Sequence, residues 1–303
     1  MQRYNTFSEE LKRTFGCKVQ RLSVDAGFTC PNRDGTVGVG GCIFCGGKGS
    51  GSFGILHGTP VSEQLEHAKE VMVRKYKAAR FIAYFQSYSN TYAPTGQLKT
   101  LFDEALAVPD VVGLIVGTRP DCLPEPTLDL LAGYARRTYF WLELGLQSPL
   151  DRTLASIGRG HDLASFTKAV KACRERGIRV CAHLILGLPG ESREEMLSGA
   201  DLLNAAGVAG VKIHLLHVMR GTRLAEMYQG GGISLLDRDG YVGLVCDFLE
   251  RLDPAIVVQR LTGDGNRRDL IAPLWSLQKF EVLNCIDGEL ARRGTRQGAR
   301  CRS

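Results

Sequence analysis

The sequence predicts an α/β fold: an incomplete (β/α)6 TIM-like barrel with a C-terminal α/β extension. Three observations carry this expectation. Over about 210 of the 303 residues the chain alternates strand and helix patterns six times. The strand patterns are short, nearly continuous apolar runs, as in parallel strands covered on both faces and joined by right-handed crossovers. No dinucleotide-type glycine fingerprint follows the first of them, which speaks against a flat doubly wound sheet.

The elements follow in order. VQRLSV is a first strand, and a glycine-rich loop follows it. Pro60 then opens the helical stretch VSEQLEHAKEVMVRKYKAA, proline being suited to a helix's first turn. Strand RFIAYFQS and helix QLKTLFDEAL come next, then strand VVGLIVGT, helix TLDLLAGYARR and strand YFWLELGLQ. Two helical stretches, LDRTLASI and LASFTKAVKACRERG, lead to strand IRVCAHLILG. Ser192 and Glu195 form a capping-box pair before the helix REEMLSGADLLNAAG, and strand GVKIHLLHV with helix TRLAEMY closes the repeat. From Ile233 the pattern changes to helix LLDRDGYVGLVCDFLERL, strand AIVVQRL and a last helix near LWSLQKFEVLNCIDGELARR. The expected division is a core barrel over residues 1–232 and an extension with a basic tail over 233–303.

Composition bounds the function classes. A hydrophobic share of 44% and a charged share of 23% describe a globular chain with a large core. No run of 18 apolar residues marks a membrane span, and the start MQRYNTFSEELKRTFG lacks a signal-type apolar region, so a cytoplasmic protein is expected. Ten cysteines in such a chain argue for reduced thiols and metal ligation rather than disulfides. The net charge of +6 is uneven, because five arginines and no acid follow Glu289. That tail reads either as a solvated end or as a phosphate-contacting segment.

Three cysteines in the glycine-rich loop carry the sharpest signal. Eleven residues separate Cys30 from Cys42, and two separate Cys42 from Cys45. Three thiolates are one too few for a closed zinc site, but they suffice for a four-iron four-sulfur (4Fe-4S) cluster whose fourth iron stays open to a small molecule. Cys17 lies near enough in sequence to serve as a fourth ligand, which keeps a zinc-stabilised binding module as the alternative. The other cysteines show no ligand spacing and read as small buried hydrophobes.

In a barrel the chemistry gathers at the C-terminal ends of the strands. Those ends read QSYSNTYAPTG after strand two, GTRPDCLPE after strand three, ELGLQS on strand four and LILGLPGE on strand five, with Lys212 and His214 on strand six. The period of two puts Tyr139, Trp141, Glu143, Gly145 and Gln147 on one face of strand four and Phe140, Leu142, Leu144 and Leu146 on the other. An inward carboxylate needs a use, so Glu143 is either salt-bridged to a neighbouring arginine or an acceptor for a ligand's hydroxyls or ammonium. His214 reads either as a site residue or as a satisfied core histidine. His183 and His217 carry a weaker signal.

The motifs CPNRDGTVGVGGCIFC, YFQSYSNTYAP, GTRPDCL, ELGLQS, RGHD, LGLPGE and RLTGD resemble the radical S-adenosylmethionine (radical SAM) superfamily. The resemblance is to the branch of the Elongator catalytic subunit and coproporphyrinogen dehydrogenase, and to one bacterial group within it, from Tyr4 to about Leu274. The spacing of eleven residues between the first two cysteines departs from the superfamily's common three but agrees with that group. The resemblance implies a 4Fe-4S cluster on Cys30, Cys42 and Cys45, S-adenosyl-L-methionine as cofactor, and an electron donor such as flavodoxin or ferredoxin. It implies that Gln86, Asn90, Arg119, Asp121, Glu143, Gln147, Arg159 and Leu186 surround the cofactor, Arg159 at its methionine carboxylate, while Lys212 and His214 face substrate. It also implies modification of the tRNA wobble uridine at its carboxymethylaminomethyl side chain, with a small metabolite or a protein as the other substrate classes.

Overall fold

The computed structural model describes residues 2–46, 58–263 and 265–301. Seven parallel strands curl into an open barrel in the order β1 (Val19–Val24), β2 (Arg80–Phe85), β3 (Val111–Thr118), β4 (Tyr139–Gln147), β5 (Val180–Leu186), β6 (Gly210–Leu215) and β8 (Val257–Arg260). The crossover helices are α2 (Val61–Tyr76), α3 (Thr95–Ala107), α4 (Glu125–Arg137), α5 (Asp151–Ser156), α6 (Leu163–Glu175) and α7 (Arg193–Ala206). The capping box opening α7 is formed on both sides, with the Ser192 N–H donating to Glu195 Oε2 at 2.8 Å and the Glu195 N–H to Ser192 Oγ at 3.3 Å.

Outward residues of every barrel strand, among them Phe140, Leu142, Leu144 and Leu146, join the helices in the main core. The inward face divides by height. At the N-terminal end of the strands, Trp141, Ile82, Ile115, Cys181 and Val257 pack with Phe7 and Leu11 of α1 (Phe7–Phe15), an element absent from the sequence reading. The Phe7 ring meets Trp141 edge-on at 6.0 Å, so α1 closes the lumen from below. Higher up the lining is polar, and at the C-terminal rim Ile43 of the cysteine loop packs with Leu154, Ile157, Ile185 and Leu216.

The extension is woven into the barrel. Its strand β8 pairs with β6 and supplies a seventh strand beyond the six expected. The expected strand over 210–218 breaks at Leu216–His217, and its remainder, β7 (Val218–Met219), turns antiparallel to β9 (Leu270–Ala272). After α8 (Arg223–Gln229) comes α9 (Arg238–Arg251). The last helix, α10 (Lys279–Arg292), starts after a short 3₁₀ turn over Leu274–Leu277 rather than as one run.

The tail, read from the sequence as a solvated or a phosphate-contacting segment, is ordered against the barrel with most of its described arginines in ion pairs. Arg292 pairs with Glu289, Arg293 with Asp247, Glu250 and Glu289, and Arg300 with Glu250. Gln297 is buried, accepting from the Asn5 N–H at 2.8 Å and donating to the Asp253 and Ile256 carbonyls at 2.7 and 2.9 Å. Asn5 precedes α1 and Ile256 precedes β8, so the tail clasps the N-terminal end of the barrel, opposite the mouth. Gln297→Ala strands three polar groups there and should cost about 1–3 kcal/mol in urea unfolding. Arg292→Ala, which removes an exposed pair, should stay within about 0.5 kcal/mol; equal effects would refute the clasp.

Candidate active site

The cysteine loop leaves the C-terminal end of β1 and is held in place by backbone bonds. The Cys45 N–H donates to the Cys42 carbonyl at 2.9 Å, the Ile43 N–H to the Ile157 carbonyl at 3.0 Å, and the Leu224 N–H to the Ile43 carbonyl at 2.9 Å. Asn32 Nδ2 reaches the Gly158 carbonyl at 2.6 Å. Gly160, at φ +73°, permits this contact, because a Cβ there would stand 2.9 Å from Asn32 Oδ1.

N–H donors point at the sulfurs. Asn32 Nδ2 lies 3.6 Å and Arg159 Nη1 3.7 Å from Cys42 Sγ, and Arg33 Nη1 lies 3.7 Å from Cys45 Sγ. Burial, and then Cys42, push the Cys45 thiol up to about 11, with Cys30 adding to the effect and Arg33 opposing it. The three sulfurs therefore sense one another, and as thiolates they need cations between them. Among the described residues no three His, Cys, Asp or Glu side chains converge to hold a single metal ion. Three thiols on one loop, two of them with N–H donors on their sulfurs, suit the corners of an iron–sulfur cube, so the residues present fit a 4Fe-4S group. Cys17 precedes β1 and packs in the lower core, a six-residue strand of roughly 20 Å away from the loop, which removes it as a fourth ligand.

The remaining residues expected at the site fall around this loop. Arg159 lies across β4, donating from Nη2 and Nε to the Gly145 carbonyl at 2.6 and 3.2 Å. A Cβ on Gly145 would come within 2.5 Å of Arg159 Nη2 and 2.6 Å of Gln147 Nε2, so glycine makes the crossing possible. Arg119 forms a bidentate pair with Asp121 at 2.9 and 2.7 Å, and its Nη1 donates to the Arg159 carbonyl at 2.7 Å. Its fork is thus engaged as a brace between strand ends three and four. Gln86 donates to Ser23 Oγ at 2.9 Å. Asn90 donates to the Ser87 and Gly117 carbonyls, while its buried Oδ1 and Ser87 Oγ have no partner among the described residues, as at a place prepared for a polar ligand. Leu186 departs from expectation. Its side chain is in the outer core, and Ile185 is the residue of β5 that reaches the rim.

The lumen's centre is a buried polar cluster. Glu143 and Lys212 are both 0% exposed and ion-paired, so the partner is a lysine two strands away rather than an arginine. Tyr84 Oη donates to Glu143 Oε2 at 2.7 Å, His183 Nε2 lies 2.8 Å from the same oxygen, and Lys212 Nζ donates to Tyr84 Oη at 2.9 Å. Burial alone would raise the Glu143 pKa, but Lys212 and His183 hold it well below the carboxylate range. His214 stacks obliquely on His183 at 5.2 Å, and its buried Nε2 has no partner among the described residues. Burial, then Arg260, keeps it neutral far below its ordinary pKa. Tyr84 and the sulfur-facing Asn32 and Arg33 escape the sequence reading and His183 carries only a weak signal in it, although Asn32 and Arg33 stand inside the motif CPNR and period two on β2 and β5 points Tyr84 and His183 inward.

Comparison with known proteins agrees with this geometry. Residues 30–203 match the radical SAM superfamily, and residues 208–292 match the radical SAM C-terminal domain. The chain is 46% identical to protein YtqA of Bacillus subtilis (strain 168) over 98% of its own length and 92% of that protein's. It is 26% identical to a tRNA uridine(34) acetyltransferase of Dehalococcoides mccartyi (strain CBDB1), over 50% of this chain and 33% of that protein. The archaeal Elp3 of Methanocaldococcus infernus shares the fold, with a TM-score of 0.69 at 16% identity, over 92% of this chain and 64% of that one. The chain belongs to the radical SAM superfamily, whose enzymes use a 4Fe-4S cluster and S-adenosylmethionine, and it is similar over part of its length to Elongator-related proteins.

Two predictions follow from the site's geometry. Cys30→Ala, Cys42→Ala and Cys45→Ala should each abolish iron loading in anaerobically reconstituted protein, whereas Cys17→Ala should leave about four irons per chain; iron loss in Cys17→Ala would reinstate a fourth ligand. Lys212→Met leaves the Glu143 charge buried without a counter-charge and should cost about 3–5 kcal/mol in denaturant unfolding. Adding Glu143→Gln to that variant should restore much of the loss, and a double variant no better than the single would disprove the pairing.

Proposed function

We propose that this radical SAM enzyme acts on tRNA, modifying the carboxymethylaminomethyl side chain of the wobble uridine. The observation that carries the reading is the charge of the lumen. Among the described residues Glu143 is the one buried carboxylate borne by a strand, whereas two cations, Lys212 and Arg21, lie over the inward Tyr84 ring at 4.3 and 5.8 Å. A lumen with more cations than carboxylates suits a substrate side chain that ends in a carboxylate. The relative described as a tRNA uridine(34) acetyltransferase supports tRNA as the substrate class, although this chain spans only a third of it.

When bound, a reduced 4Fe-4S cluster and S-adenosylmethionine supply a 5′-deoxyadenosyl radical that takes a hydrogen atom from substrate. Cys30, Cys42 and Cys45 would hold the cluster, and Asn32, Arg33 and Arg159 point N–H groups toward the Cys42 and Cys45 thiol sulfurs. Arg159 also receives the methionine carboxylate, while Gln86, Asn90, Asp121 and Gln147 line the cofactor's polar edge. Arg119 fixes Asp121 and the Arg159 loop. Glu143 acts through its charge, orienting Lys212 and His183, and Lys212 with His214 faces substrate. A flavodoxin or ferredoxin is the proposed electron donor. The domains are a core over residues 1–232 and an extension over 233–303. Among the described residues no helix is long and apolar enough to cross a membrane.

Comparison of tRNA nucleosides from cells with and without the gene tests the substrate. The strain lacking it should accumulate the carboxymethylaminomethyl form of the wobble uridine at the expense of a later product. An identical wobble-nucleoside profile would move the radical chemistry to a metabolite or a protein.

A further inference from the structure

We propose that four arginines on the rim of the barrel, Arg220, Arg223, Arg267 and Arg268, form the surface on which the RNA backbone is seated while its target base enters the lumen. The proposal rests on the tRNA reading above and assigns the surface that this reading lacks once the basic tail is found at the far end of the barrel.

All four side chains are exposed, and among the described residues none is ion-paired. The tail offers the contrast, since Arg292, Arg293 and Arg300 are neutralised by Glu289, Asp247 and Glu250. Uncompensated charge is therefore present at the mouth.

The rim holds these residues firmly. Arg220 follows β7, and its N–H donates to the Asp269 carbonyl at 2.7 Å. Asn266 closes the turn that presents Arg267 and Arg268. Its Oδ1 accepts from the Arg268 N–H at 3.1 Å, and its carbonyl accepts from the Asp269 and Leu270 N–H groups at 3.0 and 2.8 Å. Arg223 begins α8 one residue before Leu224, whose N–H binds the Ile43 carbonyl of the cysteine loop. At the other end of the patch, Gly263 lies over His217 and His214, a Cβ there standing 3.2 Å from His217 Cε1 and 3.8 Å from His214 Nδ1. The patch thus runs along the rim from the cysteine loop to the loop above His214. Beyond β9 the chain carries Phe280, 81% exposed, an apolar ring suited to stacking on an unpaired base.

An occupant of this rim must keep several negative charges outside while sending one small group inward. A nucleic acid with an extruded base meets both conditions. Guanidinium groups suit it, since their planar fork pairs with phosphate oxygens. RNA loops, whose bases are already unstacked, need the least work to present one.

The test uses anaerobically reconstituted full-length protein and an unmodified tRNA transcript, with affinity followed by anisotropy between about 50 and 200 mM salt. Arg223→Glu/Arg267→Glu/Arg268→Glu should bind at least about tenfold more weakly, with a log–log salt slope shallower by about two to three units, near 0.9 per lost phosphate contact. Its iron content and melting temperature should match wild type, and the triple lysine variant should retain most of the binding. Arg292→Glu/Arg296→Glu in the tail should bind as wild type does. Unchanged affinity and slope in the rim variant, loss of binding in the tail variant instead, or wild-type protein that binds anionic phosphatidylserine vesicles but no tRNA would each overturn the surface. Altered wobble nucleosides in the deletion strain together with an unaffected rim variant would reject the surface and leave the tRNA reading standing. Weakened binding by the rim variant with unaltered nucleosides would do the reverse.

Discussion

The ion pair between Glu143 and Lys212 organises the interior of this barrel. Two charges with no exposure to water are tolerable only when each is answered in full, and here Tyr84, His183 and the pair itself supply the answers. The register leaves room for it, because Glu143 faces Gly117 on β3 and Cys181 on β5, two small neighbours. Below the pair the lumen is apolar and shut by Phe7 and Trp141, so water does not reach the charges from beneath. A well-packed apolar trio could give equal stability at this height. The cluster is therefore better explained by what it presents upward, a lysine and two imidazoles in fixed positions under the cysteine loop.

The two ends of the barrel have separate tasks. At the N-terminal end, α1, the strand edge at Val258 and the tail lock together through Asn5 and Gln297, with the Val258 N–H donating to the Asn5 carbonyl at 2.7 Å. This clasp spans the opening between β1 and β8, which do not pair. At the C-terminal end the loops carry the thiols, the Arg159 crossing and the arginine rim. Arginine content alone does not distinguish the two ends. Pairing does, since the acids of α9 and α10 neutralise most of the tail, while among the described residues the rim arginines form no ion pair.

Much of this was legible in the chain. A two-residue period with one carboxylate among bulky apolar neighbours is enough to divide the faces of β4, and the cysteine spacing marks the loop. What escaped depends on neighbours distant in sequence. Helix α1 offers only Phe7 and Leu11 as buried residues, too few to stand out over nine positions. The lysine partner of Glu143 lies on β6, two strands away, and only the curl of the sheet brings it near. The resemblance implies Leu186 at the site, but the alternation that governs Glu143 turns this side chain outward. Asn32 and Arg33 look like ordinary loop residues until folding lays them against sulfur.

The loop that bears the thiols is positioned mainly by its backbone. Ile43 alone bonds through its N–H to the turn after α5 and through its carbonyl to the start of α8. Those two anchors follow β4 and β6, the strands that carry Glu143 and Lys212. The distance between the thiols and the polar cluster is thereby set by two strand-to-loop connections and not by side chains inside the lumen. Side chains facing substrate are then free to change without moving the cysteines. Within the cysteine loop the restriction falls instead on residues that touch the anchors, such as Asn32 against Gly160, where even one added methyl group would force the loop away.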